Sequence, residues 1–421
     1  MASRRDFSQA LFVGGYAALF ARSGEAWSPA PLRAAPDKPD ESFWIDVKRQ
    51  FLVPQEIGVL NAANLCPASA PVVEAVMNAH DLDHDLSPDN RTRMHDAREQ
   101  TRRALAEFLR VTPEEIVITR NTSEASNLVS SGLDLKAGDE VLVFADNHPS
   151  NLKAWQEKAK RFSWNVKVLD QPNPHPGPDY FVEAFLKAVG PRTRILTFTH
   201  LTSTVGDLMP ARELCRAARE RGVLTLVDGA QSFGLMDVNL KEIEPDFYSG
   251  SAHKWMCGPK EAGVLYVRSD VQSRLSASVI SAYPGAVGIS KVVEGMGQRD
   301  DTAIIGFAEA LRFQTKLGRG AIEARSRELA QTLIRGLREV RGLRLWTSPE
   351  PSRSHSVVSF DPAGLNPERL QQSLYSKDRI VCAVRGGTDR PGIRLSPHLY
   401  NTQAEVERAV QAVRRAVQTG V

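Results

Sequence analysis

Short apolar runs at 116–119, 141–144, 166–169, 195–198 and 224–227 recur along the middle of the chain, most of them bounded by polar or turn-forming residues. Compact apolar runs of this length predict strands buried on both faces of a sheet. Helical spacing occupies most of the intervals. In 97–109, Ala97, Thr101, Ala104, Leu105 and Phe108 fall on one stripe, and 150–162 and 211–221 also read as helices. Buried strands separated by helices predict an α/β fold, a mainly parallel central sheet with helices on both faces. After about residue 306 the texture shifts to longer helices with few strands, at 302–316, 321–340 and 402–418. The last opens on Thr402 and Glu405, a capping-box pair, and continues with Val406, Val410, Val413 and Val417 as its stripe. The pattern thus predicts a large domain over residues 61–305 and a smaller C-terminal α+β domain over 306–421.

The first sixty residues follow neither pattern. A basic start containing Ser3, Arg4, Arg5 and Phe7 precedes an apolar run at 10–21, too short to span ~30 Å of hydrocarbon as a helix. The Ser-Arg-Arg-x-Phe order resembles a twin-arginine export signal, and the small residues near Gly24 and Ala26 suit cleavage after Ala26 or Ala30. Residues 1–30 are therefore expected to be a signal peptide, handled by the twin-arginine translocase and lost in the periplasm; an amphipathic helix retained on the protein is the alternative. Residues 31–60 read as a leader and helix. Beyond them no run of 18 apolar residues occurs, so no stable membrane insertion is expected.

Composition narrows the class only a little. The 421 residues are 42% hydrophobic and 24% charged with a net charge of +3, which excludes collagen-like and wholly disordered chains and gives no reason to expect nucleic acid as a partner. Cys66, Cys215, Cys257 and Cys382 lie far apart, which is neither a metal-binding spacing nor a disulfide framework, so no metal is expected.

The chemistry gathers where strands end, the edge at which open α/β sheets hold ligands. Lys254 stands in Ser251-Ala252-His253-Lys254-Trp255, just before the apolar strand 263–267. An amine among small residues, His and Trp can act as a Schiff-base nucleophile, because lost water favours its neutral form. Asp228 closes the run 223–228, where a buried carboxylate needs a cation or several donors; taken alone, it would serve equally as a cap for the next turn. Thr122 and Ser123 follow the strand 116–119 and open a helix, a place for a phosphate or for plain capping. His148 lies just past 141–144 and could stack on a flat heterocycle or move a proton. Arg394 interrupts the apolar strand Gly392-Ile-Arg-Leu-Ser396 and is suited to clamp a carboxylate.

In this order and at these separations the motifs resemble fold-type I pyridoxal phosphate (PLP) enzymes of the class V aminotransferase family, over roughly residues 61–417. The strongest stretches are 228–231, 246–267 and 394–402. Lys254 followed by Trp255, the tract 297–303 and the stretch from Arg394 to Thr402 look most like the isopenicillin-N-epimerase-like branch, within a family that also holds cysteine desulfurases. The resemblance implies PLP held by Lys254 as an internal aldimine, Asp228 on the pyridine nitrogen, His148 on the ring face and Gln231 at the phenolic oxygen. It implies Thr122, Ser123, Ser251 and His253 on the phosphate, Arg394 on the substrate carboxylate and Asn64 at the mouth. It also implies a homodimer in which the tract 297–299 reaches the partner's phosphate.

Two positions depart from the family pattern. Ser203 stands where many relatives have Asn near the phenolic oxygen, and Gln298 where many have a phosphate-binding Thr. A third departure bears on the reaction. The connection 386–391 has no cysteine, and Cys382 lies within the apolar run 380–384, so persulfide-type desulfuration is disfavoured. The expected activity is a PLP enzyme acting at Cα or Cβ of an amino acid or of an aminoacyl group of a secondary metabolite, as aminotransferase, epimerase or C–S lyase. An exported binding or assembly protein that retains the fold, and a nucleotide-using doubly wound enzyme, are the alternatives from other classes.

Overall fold

Gly58–Val59 (β1) leads into seven strands that form one sheet: Ile116–Thr119 (β2), Glu140–Phe144 (β3), Asn165–Leu169 (β4), Thr193–Thr199 (β5), Leu224–Asp228 (β6), Phe247–Ser251 (β7) and Gly263–Val267 (β8). Their order across the sheet is β2-β8-β7-β6-β5-β3-β4. The computed structural model describes residue 33 and residues 35–386 and 389–420; the expected signal at 1–30 lies outside the described residues. Every strand but β8 runs the same way. β8 reverses because the connection from β7 contains no crossover helix, which a parallel return requires. That connection carries Lys254.

Strands β2, β5, β6, β7 and β8 are buried almost throughout, as continuous apolar runs require. The run at 166–169 is different. β4 is one of the sheet's two edge strands and leaves Val168 exposed, so its apolar residues cover only part of one face. The helix expected at 97–109 begins earlier, as Pro88–Leu109, with Ser87 as N-cap and Pro88 in its first turn. Its first two turns are mostly polar and charged and carry no apolar stripe, so periodicity alone does not reveal them.

A second, antiparallel sheet follows: Arg344–Leu345 (β9), Val358–Asp361 (β10), Ala383–Arg385 (β12) and Gly392–Leu395 (β13), in the order β12-β13-β10-β9. Ile380–Val381 (β11) pairs instead with β1, so the apolar run 380–384 is split between two sheets at Cys382. Helices Arg319–Arg338, Pro367–Asp378 and Gln403–Thr419 contribute Leu329, Leu333, Leu370, Val406 and Val410 to its core. Thr402 and Glu405 form the expected capping box. Residue 306 falls inside helix Asp301–Leu317, whose Ile304, Phe307 and Leu311 belong to the core of the large sheet. The change of core therefore comes after Leu317. A further cluster, including Phe51, Ala63, Cys66, Trp255, Phe313, Leu399 and Tyr400, joins the two units behind the lysine segment.

Candidate active site

The shared direction of β2, β3, β5, β6 and β7 delivers their C-terminal ends to one edge, and a cavity of about 1070 Å³ opens there. Thr122, Ser123, His148, Ser203, Asp228, Gln231, Ser251, His253, Lys254, Arg394 and Asn64 all line it. Gln298 does not. It is exposed beside a separate hollow of about 210 Å³ with Arg120, Glu261 and Arg299. The expectation for Gln298 concerned a partner's site, and within this subunit it has no place near Lys254.

Asp228 is held by its strand end. Its Oδ1 accepts a hydrogen bond from Ala230 N at 3.0 Å, and no hydrogen bond reaches Oδ2 among the described residues. The next residue must be glycine, because a Cβ on Gly229 would lie 2.1 Å from Tyr248 Cζ. Lys254 lines the same cavity, with its carbonyl fixed by Cys257 N at 2.8 Å. Lost hydration lowers its amine from 10.5 to about 8; Asp228 opposes this and Arg394 adds to it. At neutral pH roughly a tenth of such an amine is uncharged, against less than ~0.1% at the usual value.

At the end of β2, helix Thr122–Gly132 presents its first turn to the cavity, with Asn121 as N-cap. Thr122 N donates to Ser251 Oγ at 2.8 Å, and the two hydroxyl oxygens lie 2.7 Å apart. His253 Nδ1 is buried without a hydrogen-bond partner among the described residues, and burial together with Lys254 lowers that imidazole to about 4. His148 caps helix Pro149–Phe162, accepting Ser150 N at Nδ1 over 3.2 Å, so the proton of its neutral ring belongs on Nε2. Lost hydration, then the charge of Lys254, favours that neutral form.

Gln231 has commitments the sequence did not reveal. Its Nε2 donates to Ala63 O at 3.0 Å and its Oε1 accepts from Trp255 Nε1 at 2.7 Å, so the amide ties the 61–64 loop to the lysine segment. Arg394 is buried and donates to Ser203 O at 2.7 Å, while its Nε has no partner among the described residues. Burial, with Arg385 nearby, lowers its guanidinium to about 10. Sequence reading also missed Asn147, whose buried side-chain amide lines the cavity with both polar atoms unpartnered. Its place one residue before His148 was the only signal.

These features fit PLP. A helix N-terminus with adjacent hydroxyls and an unpartnered imidazole nitrogen suits a phosphate. An unused carboxylate oxygen suits a ring N–H, and an amine lowered to about 8 suits an aldehyde. The fold and site together define a PLP-dependent α/β enzyme of fold type I.

Comparisons with known proteins narrow the class. The aminotransferase class-V model matches residues 68–409, and the chain belongs to that family. It is 34% identical to isopenicillin N epimerase of Amycolatopsis lactamdurans, over 88% of this chain and 98% of the relative. It is 27% identical to a probable cysteine desulfurase of Methanothermobacter thermautotrophicus, over 86% of this chain and 95% of that one. Among solved structures it is similar to the apo cysteine desulfurase of Thermococcus onnurineus, with a TM-score of 0.81 and 25% identity over 91% of this chain and 99% of that chain. It is also similar in fold to a C-DES variant with glycine covalently linked to its PLP cofactor, with a TM-score of 0.80 and 23% identity over 90% and 99% of the two chains.

Cys382 is buried in the C-terminal core at the cavity wall, where burial pushes its thiol up to about 12. Such a thiol holds almost no thiolate near neutrality. Replacing Cys382 with alanine is expected to lower stability by about 1–2 kcal/mol, the effect of a small core cavity, and to leave turnover within a few-fold. A denaturant titration alongside an activity assay checks this. A normally stable variant without activity would make Cys382 catalytic.

Proposed function

We propose that this enzyme moves a proton at Cα of an amino acid, free or as the aminoacyl end of a larger metabolite, with return of the proton to Cα as the favoured outcome. The observation that carries the reading is the convergence of Lys254, Asp228 and Arg394 on one cavity. Arg394 has no carboxylate partner among the described residues, and a substrate α-carboxylate satisfies its buried guanidinium. That contact fixes the Cα–H bond relative to the amine of Lys254, whose lowered basicity suits it to take up and release a proton near neutral pH. Bound PLP supplies an electron sink for the charge left at Cα. Asp228 would hold a ring N–H with its free carboxylate oxygen, and the neutral imidazole of His148 would border the ring. Thr122, Ser123, Ser251 and His253 hold the phosphate, and Asn64 borders the mouth. Gln231 and Ser203 act mainly by positioning the 61–64 loop and Arg394. The relatives named isopenicillin N epimerase support proton return to Cα, and the cysteine-free 386–391 connection argues against a persulfide step.

Incubating the PLP-loaded enzyme with L- and D-amino acids and small aminoacyl compounds in deuterated water is expected to place deuterium at Cα of at least one of them, read by mass spectrometry. Chiral chromatography of the same samples then separates epimerisation from transamination and elimination. No exchange with any member of the panel overturns the reading. Two further parts of the proposal rest on sequence alone: a dimer in which Gln298 serves the partner's site, and export led by Arg4 and Arg5 to the periplasm.

A further inference from the structure

We infer that Arg385 forms, beside Arg394, a second anion site in this cavity, one that takes the side-chain acid group of a dicarboxylic amino acid or of an aminoacyl ligand carrying such a group. The inference rests on the amino-acid reading above and names the substrate class of that same site. In the antiparallel pair β12 and β13, Ala383 lies opposite Arg394 and Arg385 lies opposite Gly392. Side chains two apart on a strand share a face, so Arg385 and Arg394 stand on the same face as diagonal neighbours, about 7–8 Å apart at their backbones. Both line the cavity. Because Gly392 has no side chain, the position opposite Arg385 places nothing on that face to engage it.

Neither guanidinium forms an ion pair among the described residues. Among the described residues Arg394 bonds only the carbonyl of Ser203, and its Nε has no partner. Arg385 is half-buried, makes no hydrogen bond or ion pair among the described residues, and has its Nε buried without a partner. The acids whose charges reach it are Asp146 and Asp389. Asp146 is already engaged by the Thr204 hydroxyl and by Arg390 at 3.4 Å, and Asp389 pairs with Arg390 at 3.4 Å. A partly desolvated arginine without a counter-charge is costly unless an anion completes it. Two such groups on one sheet face match a ligand with two carboxylates separated by a few carbons. The cavity of about 1070 Å³ holds both arginines on its wall together with the residues assigned to PLP, so the side-chain acid group and the reacting Cα fall within one enclosure.

Glutamate and glutamine are nearly isosteric and differ by the charge in question, so they test the assignment directly. Titrating the PLP-loaded enzyme with glutamate, 2-aminoadipate and glutamine, followed by visible absorbance and calorimetry, is expected to show at least one of the two acids binding roughly 10- to 100-fold tighter than the amide, the range for a charged hydrogen bond. R385Q is expected to lose that preference while keeping the cofactor absorbance, which reports an intact site. R385K keeps the charge without the planar fork and should retain part of the preference. Full preference in R385Q overturns the assignment. So does equal weakening of acid and amide, which would make Arg385 part of a single clamp on the α-carboxylate. Equal binding of acid and amide by the wild type removes the second site alone. Failure of the wild type to bind any of the three, while Cα exchange is seen with other members of the panel, also removes the second site and leaves the amino-acid reading standing, whereas no exchange with the whole panel removes both.

Discussion

Replacing Lys254 with alanine is expected to lower Cα proton exchange by at least 10²–10⁴-fold, the range for loss of a positioned acid–base group. The covalent role adds to that loss, so the visible absorbance of the bound cofactor should disappear or move as well. The fold should survive, because no hydrogen bond to Lys254 Nζ forms among the described residues, and burial leaves its ammonium poorly stabilised, lowered to about 8. A small primary amine added to the variant is expected to restore part of the exchange. Near wild-type exchange in Lys254→Ala, with the fold intact by circular dichroism, would end the mechanism.

Asp228→Asn gives the second large effect. Asparagine has nearly the same volume and can still accept Ala230 N through Oδ1, so stability should change little. What disappears is the fixed negative charge facing the cavity. Removing one preorganised electrostatic contact of this kind is worth roughly 10²–10³ in rate. The expected signature is a fall of that size in kcat with a smaller change in KM, because substrate binding depends on Arg394 rather than on Asp228. Equal kcat in wild type and variant would show that the charge of Asp228 does not govern the proton-transfer step.

Much of the site could be read from the sequence because it sits where local pattern and chemistry coincide. Asp228 ends an apolar strand, Thr122 opens a helix just after another, and Arg394 breaks a third, so each is visible against its own neighbours. Lys254 needed its tract of small residues and the family resemblance. Asn147 and Arg385 gave no comparable signal. An asparagine in a loop and an arginine at the end of a three-residue strand are ordinary in sequence, and their unpartnered polar atoms are recognisable only once every neighbour is placed. Gln231 adds a further case: motif position marked it as a cavity residue, and only the fold reveals that its amide also joins Ala63 to Trp255.

By itself, the sequence determined the alternation of buried strands and helices, the capped C-terminal helix, and the strand-end residues that carry chemistry. These follow from periodicity and from the free energy of leaving a charge or an apolar face unmatched, which act over a few residues. Only the tertiary structure decided that β8 reverses, that β4 is an edge, that the run 380–384 divides between two sheets, and that Arg385 shares a face with Arg394. Those outcomes depend on the register between segments far apart in the chain, and register is set by loop geometry and by how whole faces pack.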